Sequence, residues 1–518
     1  MAKRNIFQNV PMNKPRRSAF DLSHERKFSM NFGDLIPIMS RAVVPGDTFR
    51  NNTEVLVRLS PMLAPIMHRV NVFTHFFFVP NRLIWKEFED FITGGADGQL
   101  SPVHPFISSS GAVGSNFQPG SLADYLGVPT IDSAQNLKTK VNALPFRAYQ
   151  EIYNQYYRDQ NLEDEIDFVK TSGSAGNWSP NLLGLRKRCW EKDYFTSALP
   201  WTQRGGDVTL PMSGNAPVNT VGTNPQFFTK DSDGTIIANN DVVSGTGGRI
   251  QDTSGNNAHV TLGYELEADL SGVSAATIEE LRRATKLQKW LENNARGGSR
   301  YIEQIMSRFG VRSSDARLQR PEFLGGGRTP LVISEVLQTS SSDATSDQGN
   351  MAGHAVAVGN SHTFKKFFEE HGWVIGIMSV VPKTSYQQGF DRELLKDDKF
   401  DYYQPEFAQL GEQPIYKGEI FATNDDAHDR EDVFGYQQRY SEYKYVPSTV
   451  HGDFKDTLSY WHMGRIFSLE PTLSESFVKV NVDERNFPVQ DGSDKLYVQC
   501  FNNLKAIRPM PFNNVPSL

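Results

Sequence analysis

Strand-forming segments lie near both ends of this chain, and they are separated by a long middle region that contains helices and loop insertions. The clearest segment is 67–79, which is rich in β-branched and aromatic residues and ends at Pro80. No repeat of fixed period links the segments, which disfavours propellers and solenoids. Strands separated by long excursions favour an antiparallel sandwich with enlarged loops, of which the jelly roll is the commonest. The sequence therefore predicts a mainly β fold.

Hydrophobic periodicity locates the individual elements. Alternating or continuous apolar runs predict strands, and apolar residues at steps of three and four predict helices. The predicted strands are 54–59, 67–79, 331–337, 354–358, 373–381, 415–421, 434–445 and 496–501. The predicted helices are 84–92, 146–157, a long helix after Ser274 that ends near Gly297, and 300–309, which stops at Gly310.

The length of 518 residues suggests three or four domains at about 150 residues each, but one antiparallel β domain with long insertions absorbs such a length. We therefore predict an N-terminal arm over residues 1–50 and a single domain over 51–518. Within that domain, 203–272 is dominated by Gly, Ser, Thr, Asn and Asp. This composition predicts a surface insertion with minor β structure of its own.

The charge of the chain is unevenly distributed. Its net charge of -7 argues against a surface that binds nucleic acid everywhere. Residues 1–30, however, contain seven basic residues against two acidic ones, interleaved with Phe7, Phe20 and Phe28. Such a mixture is typical of proteins that bind single strands without reading sequence, although a solvated terminus or a strap across a neighbouring subunit fits equally well. The predicted DNA contacts are Lys3, Arg4, Lys14, Arg16 and Arg17.

Cysteine and histidine spacing does not indicate a metal site. Cys189 and Cys500 lack close partners, so they match no zinc signature and suit a reducing cytoplasm, with one bridge between them left open. His354, His362 and His371 match no metal template, so ordinary loop or strand histidines are favoured. We expect no metal, no cofactor and no catalytic residue.

Two other short motifs have simple structural interpretations. The segment 325–328 lacks the Lys and Ser/Thr of a phosphate loop and is interpreted as a tight connection before a strand. The acidic cluster 425–432 lacks the Gly and Glu positions of a calcium loop and is interpreted as solvated.

The longest apolar runs are far shorter than the roughly 20 residues that cross a bilayer, so we expect no membrane span. A secretory signal is not expected either, because no apolar stretch follows the first basic residues.

Several long strings, taken in order, resemble one family, the major capsid proteins of the Microviridae, and most closely the gokushovirus type. Strings of this length are far more specific than a short catalytic motif, and together they span nearly the whole chain. They are FSMNFGDLIP at 28–37, VNVFTHFFFVPNRLIW at 70–85, ARGGSRYIEQIMSRFGV at 295–311, SDARLQRPEFLG at 314–325, FGYQQRYSEYKYVPS at 434–448 and RPMP at 508–511.

The resemblance implies an eight-stranded antiparallel jelly roll whose long loop insertions contain short helices. It implies a structural protein, not an enzyme, that assembles as a T=1 icosahedral shell around circular single-stranded DNA. The virion would then be its location and the host bacterial cytoplasm its place of assembly. The expected partners are further copies of the chain, the DNA, a small basic DNA-packaging protein, a pilot protein and a host cell-surface receptor. By position, 203–272 corresponds to the projection that such capsids carry at their threefold axes.

Two alternatives belong to other classes of protein. Jelly rolls also host lectins and carbohydrate-active enzymes, and this chain is rich in Trp and Tyr. Such an enzyme requires two carboxylates about 5 to 10 Å apart across a cleft, and no sequence pattern singles out a pair. The second alternative is another phage component, such as a spike or scaffold, which would not form closed shells.

Overall fold

The fold is described from a computed structural model, which is mainly β with antiparallel sheets, as the sequence predicts. The structure describes residues 16–108, 112–174, 180–208, 277–298, 300–339, 348–349, 351–422 and 432–513, with shorter stretches at 218–220, 229–230, 236–237, 244–246, 249–251, 266–268 and 342.

Ten strands of the described chain form two antiparallel sheets, and they are labelled in chain order. They are β1 (Ser18–Asp21), β2 (His24–Met30), β3 (Ile36–Val43), β4 (Thr48–Leu59), β5 (Val70–Pro80), β6 (Glu322–Pro330), β7 (Val332–Leu337), β8 (Met351–Phe367), β9 (Gly372–Pro382) and β10 (Leu496–Arg508). The first sheet has β1 and β2 on successive parts of β10, followed by β4, β8 and β7. The order in the second sheet is β6, β5, β9, β3.

Burial patterns explain why the strands of the two sheets differ in sequence. Along β4, buried residues alternate with more exposed ones, because one face of the first sheet packs inward and the other meets solvent. In β5 and β9, nearly every residue is buried, because the second sheet is covered on both faces. This burial on both faces explains why the segment 67–79 contains a continuous run of apolar residues.

Two hydrophobic clusters lie on the two sides of the second sheet. One fills the space between the sheets and includes Val57, Phe76 and Val380. The other packs Phe77 and Ile375 of the second sheet against the helical segments that follow β5. A third, smaller cluster joins loop and strand residues that include Tyr386, Ile415 and Phe434.

The described helices are short except for the one that begins at Ile278. The α-helices are Asn81–Ile84, Phe88–Thr93, Leu122–Leu126, Leu144–Ile152, Pro180–Leu183, Ile278–Gly297, Tyr301–Phe309 and Glu475–Val478, and a π-helical turn spans Tyr153–Tyr157. The 3-10 turns are Gly114–Phe117, Arg392–Leu395, Pro405–Phe407, Lys417–Glu419, Ser441–Tyr443, Gly452–Lys455 and Ser459–Trp461. The predicted helices in 278–297 and 300–309 are confirmed, and Gly310 ends the second with a φ of 66°.

The remaining strands are short and pair in twos. They are Phe106–Ile107, Val141–Asn142, Val218–Thr220, Thr229–Lys230, Ile236–Ile237, Ser244–Thr246, Arg249–Gln251, Leu266–Ala268, Glu412–Tyr416 and Val433–Gln438. The predicted strands 415–421 and 434–445 are therefore only partly strand. In both segments a 3-10 turn follows, at Lys417–Glu419 and Ser441–Tyr443.

The chain divides into two compact units. One comprises Met1–Thr202 with Ala295–Leu518, and it contains both sheets. The other is Gln203–Asn294, which holds three short antiparallel strand pairs and most of the Ile278–Gly297 helix.

The N-terminal region differs from the predicted arm. Residues 18–43 are extended, but they form β1, β2 and β3 within the two sheets instead of a separate segment. These strands were not predicted from the sequence. β3, for example, begins with four buried residues in a row and shows little alternation. A boundary at residue 50 therefore falls inside the sandwich.

The glycines at 325–327 also differ from their predicted role as a connection before a strand, because they lie within β6. A Cβ on Gly326 would come within 2.1 Å of the Thr74 carbonyl oxygen, and one on Gly327 within 2.3 Å of His362 Nδ1. Glycine is thus required for the close approach of neighbouring strands. His362 is fully buried, and Thr329 and Thr74 contact its two ring nitrogens, which joins the sheets.

Candidate nucleic-acid interface

The outer face of the first sheet is the most distinctive polar surface of the described strands. On β4, the inward residues are buried while Arg50, Glu54 and Arg58 are exposed. The alternation of β10 is similar, with Gln499 and Lys505 exposed. Because successive side chains of a strand point to opposite faces, these exposed residues share one surface.

A row of three basic residues crosses this face. Lys505 of β10 lies opposite Arg50 of β4, and Lys365 of β8 lies opposite Arg50 on its other side. All three are exposed. Residues directly opposite on antiparallel strands have Cβ atoms about 5 Å apart, so like charges there repel each other. An anion bound along the row relieves this repulsion.

One carboxylate adjoins the row. Asp21 of β1 lies opposite Lys505. Hydrogen bonds from Ser23 lower the pKa of Asp21, and the Lys505 ammonium lowers it further. Asp21 is therefore ionised at neutral pH, but one carboxylate cannot balance three cations.

The next row along the sheet is uncharged and carries amide and hydroxyl groups. Asn503, Asn52 and Thr363 lie opposite one another on β10, β4 and β8. A shallow cavity at this place is lined by Arg50, Asn52, Thr363 and Lys365, among others. Amide and hydroxyl groups of this kind contact phosphate and sugar in protein–DNA complexes.

Aromatic rings lie on the same face. Phe501 is opposite Glu54 and Tyr497 is opposite Arg58, and Tyr497 is 49% exposed. Phe367, at the end of β8, is also 49% exposed. Exposed rings among basic residues form the platforms on which single-stranded bases stack. The face also carries Lys27 as a further cation and Glu25 as a further anion.

The structure describes two of the five predicted DNA contacts. Lys3, Arg4 and Lys14 lie outside the described residues, and Arg16 is exposed. Arg17 donates hydrogen bonds to the Gly46 carbonyl and, at 3.3 Å, to Thr48 Oγ1. Its guanidinium lies 5.6 Å from the centre of the Phe367 ring.

These contacts place Arg17 beside one end of the basic row, because Thr48 is two residues from Arg50 and Phe367 is two residues from Lys365. The sequence did not predict Arg50, Lys365 or Lys505 as contacts. The last two lie beyond the predicted strands 354–358 and 496–501, and the register that aligns them is not visible in one sequence.

The structure does not bring the histidines, cysteines or acidic residues considered in the sequence analysis together into a site. No group of three metal-ligating side chains occurs among the described residues. His354 is exposed on β8 and His362 is buried. Cys189 and Cys500 are both free, so the bridge that the sequence left open is not formed. Most of the acidic cluster at 425–432 lies outside the described residues, while Asp432 forms an ion pair of 2.6 Å with Lys417. No described helix has the length and apolarity to span a membrane.

Two partly buried histidines predict how stability depends on pH. Burial lowers the pKa of His68 and of His75 to about 4. In the unfolded chain, histidine has a pKa near 6.5, so the unfolded state binds more protons between about pH 6.5 and 4. The free energy of unfolding should therefore fall as the pH falls through this window, by a few kcal/mol in total. Burial raises the pKa of Asp34 to about 6, which offsets part of this loss because the folded chain then binds the extra proton.

The measurement is the midpoint of chemical unfolding at several pH values, for the natural chain and for a variant carrying His68→Gln and His75→Gln. We expect a flatter dependence in the variant between pH 6.5 and 4. Equal slopes in the two proteins would show that these histidines do not titrate as their burial predicts.

Comparison with known proteins places the whole chain in one group. A family model described as capsid protein (F protein) matches residues 8–518. The chain is 36% identical to the capsid protein VP1 of Chlamydia phage 1, over 99% of this chain and 98% of that protein. It is 38% identical to the capsid protein VP1 of Bdellovibrio phage phiMH2K, over 99% and 97%. It is 32% identical to the capsid protein VP1 of Spiroplasma virus 4, over 100% and 98%.

Proposed function

The chain belongs to the phage capsid protein (F protein) family and is a Microviridae major capsid protein of the gokushovirus type, and we propose that it assembles into a T=1 icosahedral shell around circular single-stranded DNA. The full-length match to the family carries this proposal. The family implies a structural role in the virion, which favours neither the carbohydrate-active nor the scaffold alternative.

The pairing of the strands supports an eight-stranded jelly roll. A jelly roll is a long antiparallel hairpin rolled into two sheets, so its first strand pairs with its last, its second with its seventh, and so on inward. In this chain, β2 pairs with β10, β3 with β9, β4 with β8, and β5 with β6. The first and third pairs lie in one sheet, and the second and fourth in the other. β1 and β7 are then additions at the edges of the first sheet.

The basic row supports the enclosure of DNA. A mildly acidic chain with one concentrated basic face is suited to a shell whose interior holds nucleic acid while the rest of its surface does not. In this proposal, the outer face of the first sheet points to the interior of the shell. Lys3, Arg4, Lys14, Arg16 and Arg17 extend the same basic surface.

The remaining partners follow from the family and from position in the chain. Segment 203–272 forms the projection at the threefold axes and contacts the host cell-surface receptor. It falls within the compact unit Gln203–Asn294, a separate unit of the kind that an insertion forms. A small basic DNA-packaging protein shares the neutralisation of the DNA, and a pilot protein accompanies it. Assembly takes place in the host bacterial cytoplasm.

Electron microscopy of particles tests this proposal. The chain is expressed in a bacterium with its genomic neighbours, and the particles are purified and treated with nuclease. We expect small closed icosahedral shells that protect single-stranded DNA. Soluble monomers or small oligomers alone, under conditions in which a known relative forms shells, would overturn the proposal.

A further inference from the structure

The unit that contains the two sheets has a cavity of about 1180 Å³ beside the edge strand β6 of the second sheet. β5 contributes His75 and Phe77 to its wall, and β6 contributes Phe323. Lys366 of β8 and the strand pair Glu412–Tyr416 and Val433–Gln438 also contribute, and most of the remaining wall comes from loops and helix ends, including residues 156–161 and 312–316. The basic row described above is not part of this wall.

The charges of the wall do not balance. Each of the five wall carboxylates forms an ion pair with a wall base. These pairs are Asp159 with Lys192, Glu303 with Arg300, Asp315 with Arg320, Glu322 with Lys366, and Glu412 with Arg296. Arg158, Arg188 and Arg312 also line the cavity, and no carboxylate of the described chain forms an ion pair with them. The wall therefore carries an excess of positive charge.

Three of the guanidinium groups are clustered. Arg158, Arg300 and Arg320 line the same cavity, and the charges of Arg158 and Arg320 both act on Arg300. Arg300 is held in place by hydrogen bonds that it donates to the carbonyls of Asn154, at 2.9 Å, and Arg158, at 3.2 Å. The Nε of Arg158 is buried and has no acceptor in the described structure. Partly buried cations that repel one another, with a donor left over, form a site for an anion with several acceptor oxygens.

An exposed aromatic ring lies in the same cavity. Phe323 is 44% exposed, although its ring packs against His75 and Phe77 at centroid distances of 5.8 and 5.5 Å. Its free face offers a flat apolar surface. A nucleotide presents this combination of a phosphate and a flat ring, whereas an acidic peptide supplies only the charge.

We propose that this cavity binds a nucleotide unit of single-stranded DNA, with the phosphate on the arginine cluster and the base stacked on Phe323. The assignment rests on the proposed function, because a shell around single-stranded DNA supplies the ligand. It extends that function, since it places a nucleotide in a cavity that is separate from the basic row.

Titration of the purified, unassembled chain tests the assignment. The probes are deoxythymidine monophosphate, a short oligodeoxythymidylate and inorganic phosphate. The variants are Arg158→Gln and Phe323→Ala, and the matched control is Arg317→Gln, which removes an exposed arginine that does not line the cavity. We expect the monophosphate to bind about tenfold more weakly to each variant and equally well to the control. Phe323→Ala should leave the binding of inorganic phosphate unchanged.

Three results would overturn the assignment. In the first, neither nucleotide probe shows saturable binding while an acidic peptide does, which would make the cavity a protein-binding site. In the second, the monophosphate binds but the oligomer gains nothing, which would assign the cavity to a free nucleotide. In the third, the control loses as much affinity as the variants. If the natural chain forms DNA-containing shells but binds neither nucleotide probe, only the cavity assignment fails; if no DNA-containing shell forms from the natural chain, the proposed function fails.

Discussion

A variant in which Arg50, Lys365 and Lys505 are all replaced by glutamine should form intact shells that contain much less DNA. The three side chains are exposed on the outer face of the first sheet, so their loss leaves the core unchanged. Each phosphate contact contributes about 0.7 to the slope of log affinity against log salt for a single strand. The variant should therefore lose about 2 from that slope and about two orders of magnitude in affinity for oligodeoxythymidylate at low salt.

The matched control removes the same charge elsewhere. Lys138, Lys399 and Lys444 are exposed and belong to none of the ten strands, so their replacement by glutamine tests net charge alone. The control shells should keep their DNA. If the triple variant and the control package equal amounts of DNA, the basic row has no role in enclosure.

Phe76→Ala should reduce the free energy of unfolding by about 3 to 5 kcal/mol. Phe76 is fully buried between the sheets, and its ring centre lies 5.1 Å from that of Phe364 on β8 of the first sheet. It lies opposite Gly376 of β9, where a Cβ would come within 2.7 Å of the ring. The ring thus fills a space that the facing glycine leaves open, and removing it creates a cavity that the two sheets cannot close.

The midpoint of chemical unfolding, followed by tryptophan fluorescence, measures this effect. Phe309→Ala is the control, because it removes the same side chain from a position that is 75% exposed. Its midpoint should stay close to that of the natural chain. A loss of less than about 1 kcal/mol for Phe76→Ala would contradict the description of the core.

Local sequence patterns predicted the strands and helices that have strong periodicity. The strand in 67–79 and the helix that begins at Ile278 are examples. β5 buries one long apolar stretch, and the helix repeats apolar residues at steps of three and four, although Ile278, Leu281 and Leu287 are exposed. The β1 to β3 region was missed, because β1 has only four residues and β3 begins with four buried residues in a row. The glycines of β6 were misinterpreted, because they allow the close approach of neighbouring strands that are distant in sequence.

The candidate interface was predicted only in part. A basic N-terminus is visible as composition, and Arg17 does lie beside the basic row. Arg50, Lys365 and Lys505 are more than 100 residues from one another, and only the register of three antiparallel strands makes them neighbours. Their spacing depends on pairing across the whole chain, which no local pattern encodes.

The most direct test of the central proposal is an icosahedral reconstruction of purified particles by electron cryomicroscopy. It should show a closed shell in which the face carrying Arg50, Lys365 and Lys505 points to the interior and contacts nucleic-acid density. A closed shell with that face on the outside would contradict its role in holding DNA. Particles without a closed shell would contradict the proposed assembly itself.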